Sequence, residues 1–229
     1  MRCALFGKVP SKRDFVAPHA SRSFLNLWEK WIQAGMSASR QSLGDGWQAV
    51  FLKAPIWRFW LGAELCGTTV TGAFMPSLDG VGRYFPLTAF ACSDEGAAIP
   101  PPELNPQDEW FLAMEEFLLS TLDHDTTYEA ISASLDALAP PCDQPLHGAS
   151  DGMTRFPDGL VARHESNRPL GDLFAAMRVA DSAKAYASMT YWWTIGGENY
   201  EPIAVMGRRM PDPFLFTEML TGKFAFEFE

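Results

Sequence analysis

Catalytic signatures are what this 229-residue chain most lacks. No Gly-x-Ser-x-Gly elbow occurs, which removes the strained strand-to-helix turn that exposes a serine nucleophile. No His-Glu-x-x-His pair occurs either. The four histidines (His19, His124, His147 and His164) fall in loops or at element ends, so neither a zinc site nor a Ser–His–Asp relay is assembled. His124, between Asp123 and Asp125, reads as a solvated helix end. Gly7-Lys8 lacks the upstream glycine and following hydroxyl of a phosphate loop. Gly80-Val81-Gly82 lacks the third glycine and the following helix of a dinucleotide fingerprint. The pairs Asp151-Gly152 and Asp158-Gly159 suit turns better than a metal-dependent phosphatase centre. No cofactor and no metal is expected.

Three further shortages narrow the class. Only four cysteines are present (Cys3, Cys66, Cys92 and Cys142), with no Cys-x-x-Cys pair. They are expected to be small buried hydrophobes in a reducing compartment. No apolar run approaches the ~20 residues of a membrane span, and Lys8 interrupts the three-residue run near the start, so no signal peptide is expected. Positive charge is scarce: 18 Lys and Arg against 28 Asp and Glu give a net charge of −10, which excludes a general nucleic-acid binder. The expectation is a cytoplasmic protein with no membrane insertion.

The charge that is present is uneven. Residues 1–60 carry a net +6 and residues 61–229 a net −16. A basic segment in an acidic body is either an interaction surface or one half of a set of pairs across the fold. Large rings are abundant, with 17 Phe and 8 Trp, so the core is built on aromatics.

Periodicity gives a first strand over 3–9 and a helix from Ser21 to about Ser42, with Phe24, Leu27, Trp28, Trp31 and Ile32 on one stripe. Gly44-Asp45-Gly46 closes that helix. Residues 55–61, 66–74 and 84–92 are β-branched or aromatic and separated by turn residues, as expected of antiparallel strands. The Pro-rich stretch 99–106 is a surface connection and the candidate internal boundary. Gln107 to about Asp123 is amphipathic, with Trp110, Met114, Phe117, Leu118 and Thr121 sharing a face. Thr126 with Glu129 forms a capping box for a helix to about Leu138. Residues 139–169 read as loop with one short hairpin, and 170–187 as helical. Met189–Thr194 is a buried strand with Ile203–Met206 as partner, 213–220 a short helix, and 224–228 a final strand. The sum is a single α+β domain over residues 1–229, a largely antiparallel sheet with helices packed on it.

Two clusters stand out as candidate sites. In Pro76–Leu87, Ser77 and Asp79 suit a tight turn and Gly80 and Gly82 permit positive φ. Arg83 either grips a partner carboxylate or pins the turn to the body through Asp14 or Asp79. Upstream, Lys8, Lys12, Arg13 and Asp14 form the charged part of the N-terminal segment. Trp192 and Trp193 are the third candidate. A strand alternates its faces, so the two cannot enter the same layer. An exposed tryptophan there is a binding anchor.

Three segments together resemble the TagF/ImpM family of type VI secretion proteins. They are Phe6-Gly-Lys-Val-Pro-Ser-Lys-Arg-Asp-Phe15, Ala54-Pro-Ile-Trp-Arg-Phe59 leading into Pro76–Leu87, and Ser188-Met-Thr-Tyr-Trp-Trp-Thr194. Order and spacing agree across nearly the whole chain. Two positions depart: Arg13 stands where the family has glycine before its Asp-Phe, and Gly80 where a basic residue is common. The resemblance implies a non-enzymatic regulator of type VI secretion, usually a repressor, that binds cytoplasmic components and notably a forkhead-associated-domain scaffold. Some relatives are fused to a metal-dependent serine/threonine phosphatase. Here such a phosphatase is expected as a separate polypeptide. The alternatives are a hydrolase built on Ser77, Asp79 and Arg83, or a structural subunit of the machine.

Overall fold

The computed structural model describes residues 1–123, 125–145, 152–164, 167, 169–198 and 200–224. Its centre is a six-stranded, wholly antiparallel sheet: β1 (Cys3–Phe6), β2 (Trp57–Leu61), β3 (Val70–Met75), β4 (Leu87–Cys92), β9 (Met189–Thr194) and β10 (Ile203–Arg208), in the order β1-β4-β3-β2-β9-β10. Strand β9 pairs with β2, so residues on both sides of the Pro-rich stretch share one sheet. The two shorter pairs are β5 (Ala97–Ala98) with β6 (Gln144–Pro145), and the hairpin of β7 (Met153–Phe156) and β8 (Gly159–Ala162).

Both faces of the sheet are covered by helices. On one face lie α1 (Arg22–Leu43), α2 (Trp47–Lys53) and α7 (Pro213–Thr221), over a core of Phe24, Trp28, Trp31, Phe59, Phe74, Phe90, Trp192 and Phe216. On the other lie α3 (Asp108–Ser120) and α4 (Tyr128–Ala137), over Leu5, Ala73, Met75, Leu87 and Ala89. The period of two in β2 explains the split: Trp57, Phe59 and Leu61 enter the first core, while Arg58 and Trp60 face the other way. Helices α5 (Leu170–Ala180) and α6 (Ser182–Ala185) bury no residue fully.

Helix α1 begins at the expected cap, where Ser21 Oγ accepts from the Phe24 N–H at 3.4 Å. It packs tightly on α7: a Cβ added at Gly35 would lie 2.6 Å from the Phe216 Cβ. The indole N–H groups anchor layer to layer, Trp28 on Thr88 at 2.9 Å, Trp31 on the Pro211 carbonyl at 3.0 Å and Trp57 on the Met219 carbonyl at 3.0 Å.

Several expectations shift in detail. Strand β1 ends at Phe6 because Gly7, at φ 138°, turns the chain. After Gly44–Gly46, a single 3-10 turn, the chain forms α2, a helix that the glycine signal hid. The second cap is Thr127, whose Oγ1 accepts from the Ala130 N–H at 3.2 Å, one residue after Thr126. On α3 Phe111 is buried along with the expected Phe117, and Trp110 sits at the margin. Cys142 is exposed, against the expectation of burial; Cys3 is buried and Cys66 and Cys92 half-buried. Burial pushes the Cys3 and Cys66 thiols up to about 11. Most of the expected final strand, and also His124 and His147, lie outside the described residues.

Candidate functional site

The two polar clusters flagged in the sequence meet around one carboxylate. Residues 7–16 close on themselves: Gly7 and Val16 exchange N–H···O bonds of 3.1 and 2.9 Å, and the Lys12 N–H returns to the Val9 carbonyl at 3.1 Å. Lys12, Arg13 and Asp14 are thereby held at an exposed tip. Residues 77–85 form a second tight turn, in which the Phe85 N–H donates to the Ser77 carbonyl at 3.0 Å and the Asp79 N–H to the Arg83 carbonyl at 3.1 Å. Gly82 sits at φ 83°, the conformation that favours glycine in this turn.

Asp79, with 0% of its surface exposed, joins the two. Its Oδ2 accepts from Lys8 Nζ at 2.9 Å and Arg83 Nε at 2.7 Å, and its Oδ1 from the N–H groups of Val81 at 3.1 Å and Arg83 at 2.9 Å. Burial alone would raise this carboxyl's pKa. The Arg83 N–H, the Lys8 ammonium, the Arg83 guanidinium and the Val81 N–H together hold it well below the ordinary aspartate value. Ser77 Oγ donates to the Lys8 carbonyl at 2.7 Å, the Gly80 N–H to the Lys12 carbonyl at 2.8 Å, and the Arg83 guanidinium to the Arg13 carbonyl. The Lys8 ammonium also lies 5.2 Å from the centre of the Phe15 ring.

This geometry sorts the candidate residues. Lys8, Ser77, Asp79 and Trp192 are buried, and their side chains serve contacts inside the fold. Lys12, Arg13, Asp14, Gly82 and Arg83 are exposed, the Arg83 side chain by 58% even while it grips Asp79. Arg83 pins the turn through Asp79, not Asp14. Arg13 keeps a negative φ, so the glycine of the family pattern is not needed here. Lys12 rests its ammonium 4.6 Å from the Tyr128 ring centre on α4. Trp192 and Trp193 take opposite faces, as strand geometry requires: Trp192 stacks on Trp28 in the core, and the half-buried Trp193 meets Phe111 edge to face at 4.9 Å. Among the described residues, no group of three His, Cys, Asp or Glu side chains converges as a metal site.

Arg83→Ala is expected to cost about 1–2 kcal/mol, because it removes a charge-assisted bond to a buried carboxylate while water reaches the remaining groups. Chemical denaturation measures this, and an unchanged midpoint would free Arg83 from its anchoring role.

Two polar groupings escaped the sequence reading. Arg58, in the middle of an aromatic strand, donates from Nε to Glu115 Oε1 of α3 at 2.6 Å, and its guanidinium carbon lies 5.1 Å from the Phe111 ring centre. Both members are buried. A charge flanked by Trp57, Phe59 and Trp60 was the available signal, since a buried charge demands a partner. Glu103, from the Pro-rich stretch, accepts from Tyr186 Oη at 2.9 Å and Tyr191 Oη at 2.5 Å. Burial first, then the Glu103 carboxylate, pushes both phenols above their ordinary value. No local pattern announced that contact.

An antiparallel sheet between two helical layers, with a basic turn stitched to its rim through a buried aspartate, makes this an α+β protein. Residues 4–138 match the family described as "TagF N-terminal domain, Type VI secretion system-associated". The chain belongs to that family and is a type VI secretion-associated protein. Over its whole length it is similar to PA0076 from Pseudomonas aeruginosa PAO1, whose crystal structure superposes with a TM-score of 0.78 at 30% identity, covering 97% of this chain and 96% of that one. Comparison with curated proteins finds no match. Among the described residues, no helix is long and apolar enough to cross a membrane.

Proposed function

We propose that this chain is a non-enzymatic cytoplasmic regulator of type VI secretion, a repressor that binds a forkhead-associated-domain scaffold or another component of the machine. The observation that carries the reading is the exposed tip Lys12-Arg13-Asp14, welded to the body through Asp79 and Arg83. A tip fixed in advance loses little entropy when a partner docks, so its charges convert efficiently into affinity. Its cations sit on a chain of net charge −10, which favours an acidic partner surface at this point and repels one elsewhere. Trp193, half-buried against Phe111 of α3, is a secondary contact. A serine/threonine phosphatase is a further proposed partner of the same complex. A hydrolase built on Ser77 and Asp79 is disfavoured by their burial and by the structural bonds that occupy both side chains.

Reversal of the tip charges, Lys12→Glu with Arg13→Glu, is expected to lower recovery of the scaffold from native cytoplasm by at least about tenfold. The thermal midpoint should barely move, since exposed substitutions shift stability by only about 0.5 kcal/mol. Equal recovery by the reversed variant would remove the tip from the interface. Recovery of no secretion component by the wild-type chain would remove the regulatory reading itself.

A further inference from the structure

Beside the tip lies a groove that the framework above leaves unused. It has a volume of roughly 350 Å³ and runs between α1 and the Asp79 turn. Its apolar lining is Phe15, Met36 and Phe85, with Tyr84 as a side wall. Gln33, Ser37 and Arg40 form the α1 rim. Their spacings of four and three put them on one exposed helical ridge.

Two physical features select an occupant. Phe15 stands 49% exposed, although it packs against Phe85 edge to face at 4.7 Å and stacks on Phe6 at 5.9 Å. That half-covered ring, next to buried Met36 and Phe85, is an apolar seat for one inserted side chain. The rim is cationic. Arg40 lines the groove, Arg83 adjoins Tyr84, and Arg13 lies two residues from Phe15. The carboxylates nearest in the chain are Asp14, next to Phe15, and Glu29, one turn before Gln33 and already accepting from Gln33 Nε2 at 3.0 Å. Asp79 accepts from both Lys8 and Arg83, so its single charge leaves one of the two cations in excess. Lys8 and the three arginines against Asp14, Glu29 and Asp79 leave one positive charge in excess at this edge of an acidic chain.

We propose that the groove receives an acidic segment of the partner protein, with one aromatic or long aliphatic side chain seated between Phe15 and Met36 and carboxylates on Arg13, Arg40 and Arg83. This rests on the regulatory reading and specifies the surface and the partner chemistry within it. An apolar anchor supplies the affinity and the flanking charges set register and approach. The mode requires only a side chain that enters and two or three acidic neighbours.

The test places a photo-crosslinking benzoylphenylalanine at position 37 of the full chain and identifies the attached peptide by mass spectrometry. A captured type VI secretion component, attached through a segment rich in Asp and Glu around an aromatic or aliphatic residue, is the expected result. Attachment through a basic or uncharged segment would overturn the proposal. In parallel, Ser37→Trp fills the groove and should weaken binding of the captured component at least about tenfold, as should Arg40→Glu. Ser23→Trp, the same bulk near the start of α1 and about four turns from Ser37, should bind as wild type does. If Ser37→Trp and Arg40→Glu bind normally while wild type still recovers the component, the groove fails and the regulatory reading survives. If the wild-type chain recovers no secretion component, the regulatory reading fails and the groove falls with it.

Discussion

Asp79→Ala is expected to destabilise the chain by about 3 kcal/mol and to loosen the tip at the same time. The substitution strands the Lys8 ammonium, 8% exposed, without its counter-charge. It also leaves the Val81 and Arg83 N–H groups without their acceptor. The cost sits at the lower end for a broken buried pair because Arg83, 58% exposed, is solvated once its carboxylate partner is gone. Asp79→Asn keeps the shape but loses the charge, and should fall between wild type and Asp79→Ala. A pH dependence follows with a fixed sign. The carboxyl's pKa is lower folded than unfolded, so its stabilising contribution is present above the unfolded value of about 3.8 and declines as pH falls below it. Urea midpoints for wild type and Asp79→Ala should therefore converge as pH drops through that region. A constant gap at all pH values would show that the charge of Asp79 is not what holds the turn.

Arg58→Ala is expected to cost about 3–5 kcal/mol, because it leaves Glu115 buried beneath α3 with no cation. Glu115→Ala should cost a similar amount from the other side. Asp108 lies 3.8 Å from Arg58 but is largely exposed, so it offers little rescue. Replacing both members together with apolar residues of similar volume should recover most of the loss, since the desolvation penalty disappears along with the attraction. A double-mutant cycle by urea denaturation reads the coupling directly. Additive losses in the double variant would mean that the two side chains stabilise α3 independently.

These two ion pairs also settle much of the charge asymmetry. Basic residues of the first sixty reach acidic residues of the body at Lys8–Asp79, Arg58–Glu115 and, at longer range, Arg58–Asp108. The cations at the tip, Lys12 and Arg13, form no ion pair among the described residues. Pairing across the fold accounts for Lys8 and Arg58, and the proposed interaction surface takes Lys12 and Arg13 from the same segment.

How far the sequence reached depended on the range of the interaction. Helix α1 was legible because its apolar stripe and its Ser21 cap are local, and β9 with β10 because Gly196-Gly197 announces the turn between them. Helix α2 was hidden, since seven residues after two glycines give periodicity too little length to register. Trp110 and Phe111 could not be ranked from periodicity, because adjacent ring residues differ by only 100° around a helix and Arg58 and Trp193 decide which is covered. The site divided in the same way. Turn chemistry picked out Ser77, Asp79, Gly82 and Arg83, all within one short stretch. The Lys8 contact spans 71 residues and only the fold reveals it. The groove beside Phe15 belongs wholly to that second kind, since α1 and the turn meet only in three dimensions.

The most direct test is a calorimetric titration of the purified chain into a purified forkhead-associated scaffold from the same secretion system. Saturable binding by wild type, weakened at least about tenfold by Lys12→Glu with Arg13→Glu and by raised salt, is the expected result. No heat of binding to a folded scaffold, or equal affinity for the reversed chain, would contradict the assignment of the basic tip as a scaffold-binding surface.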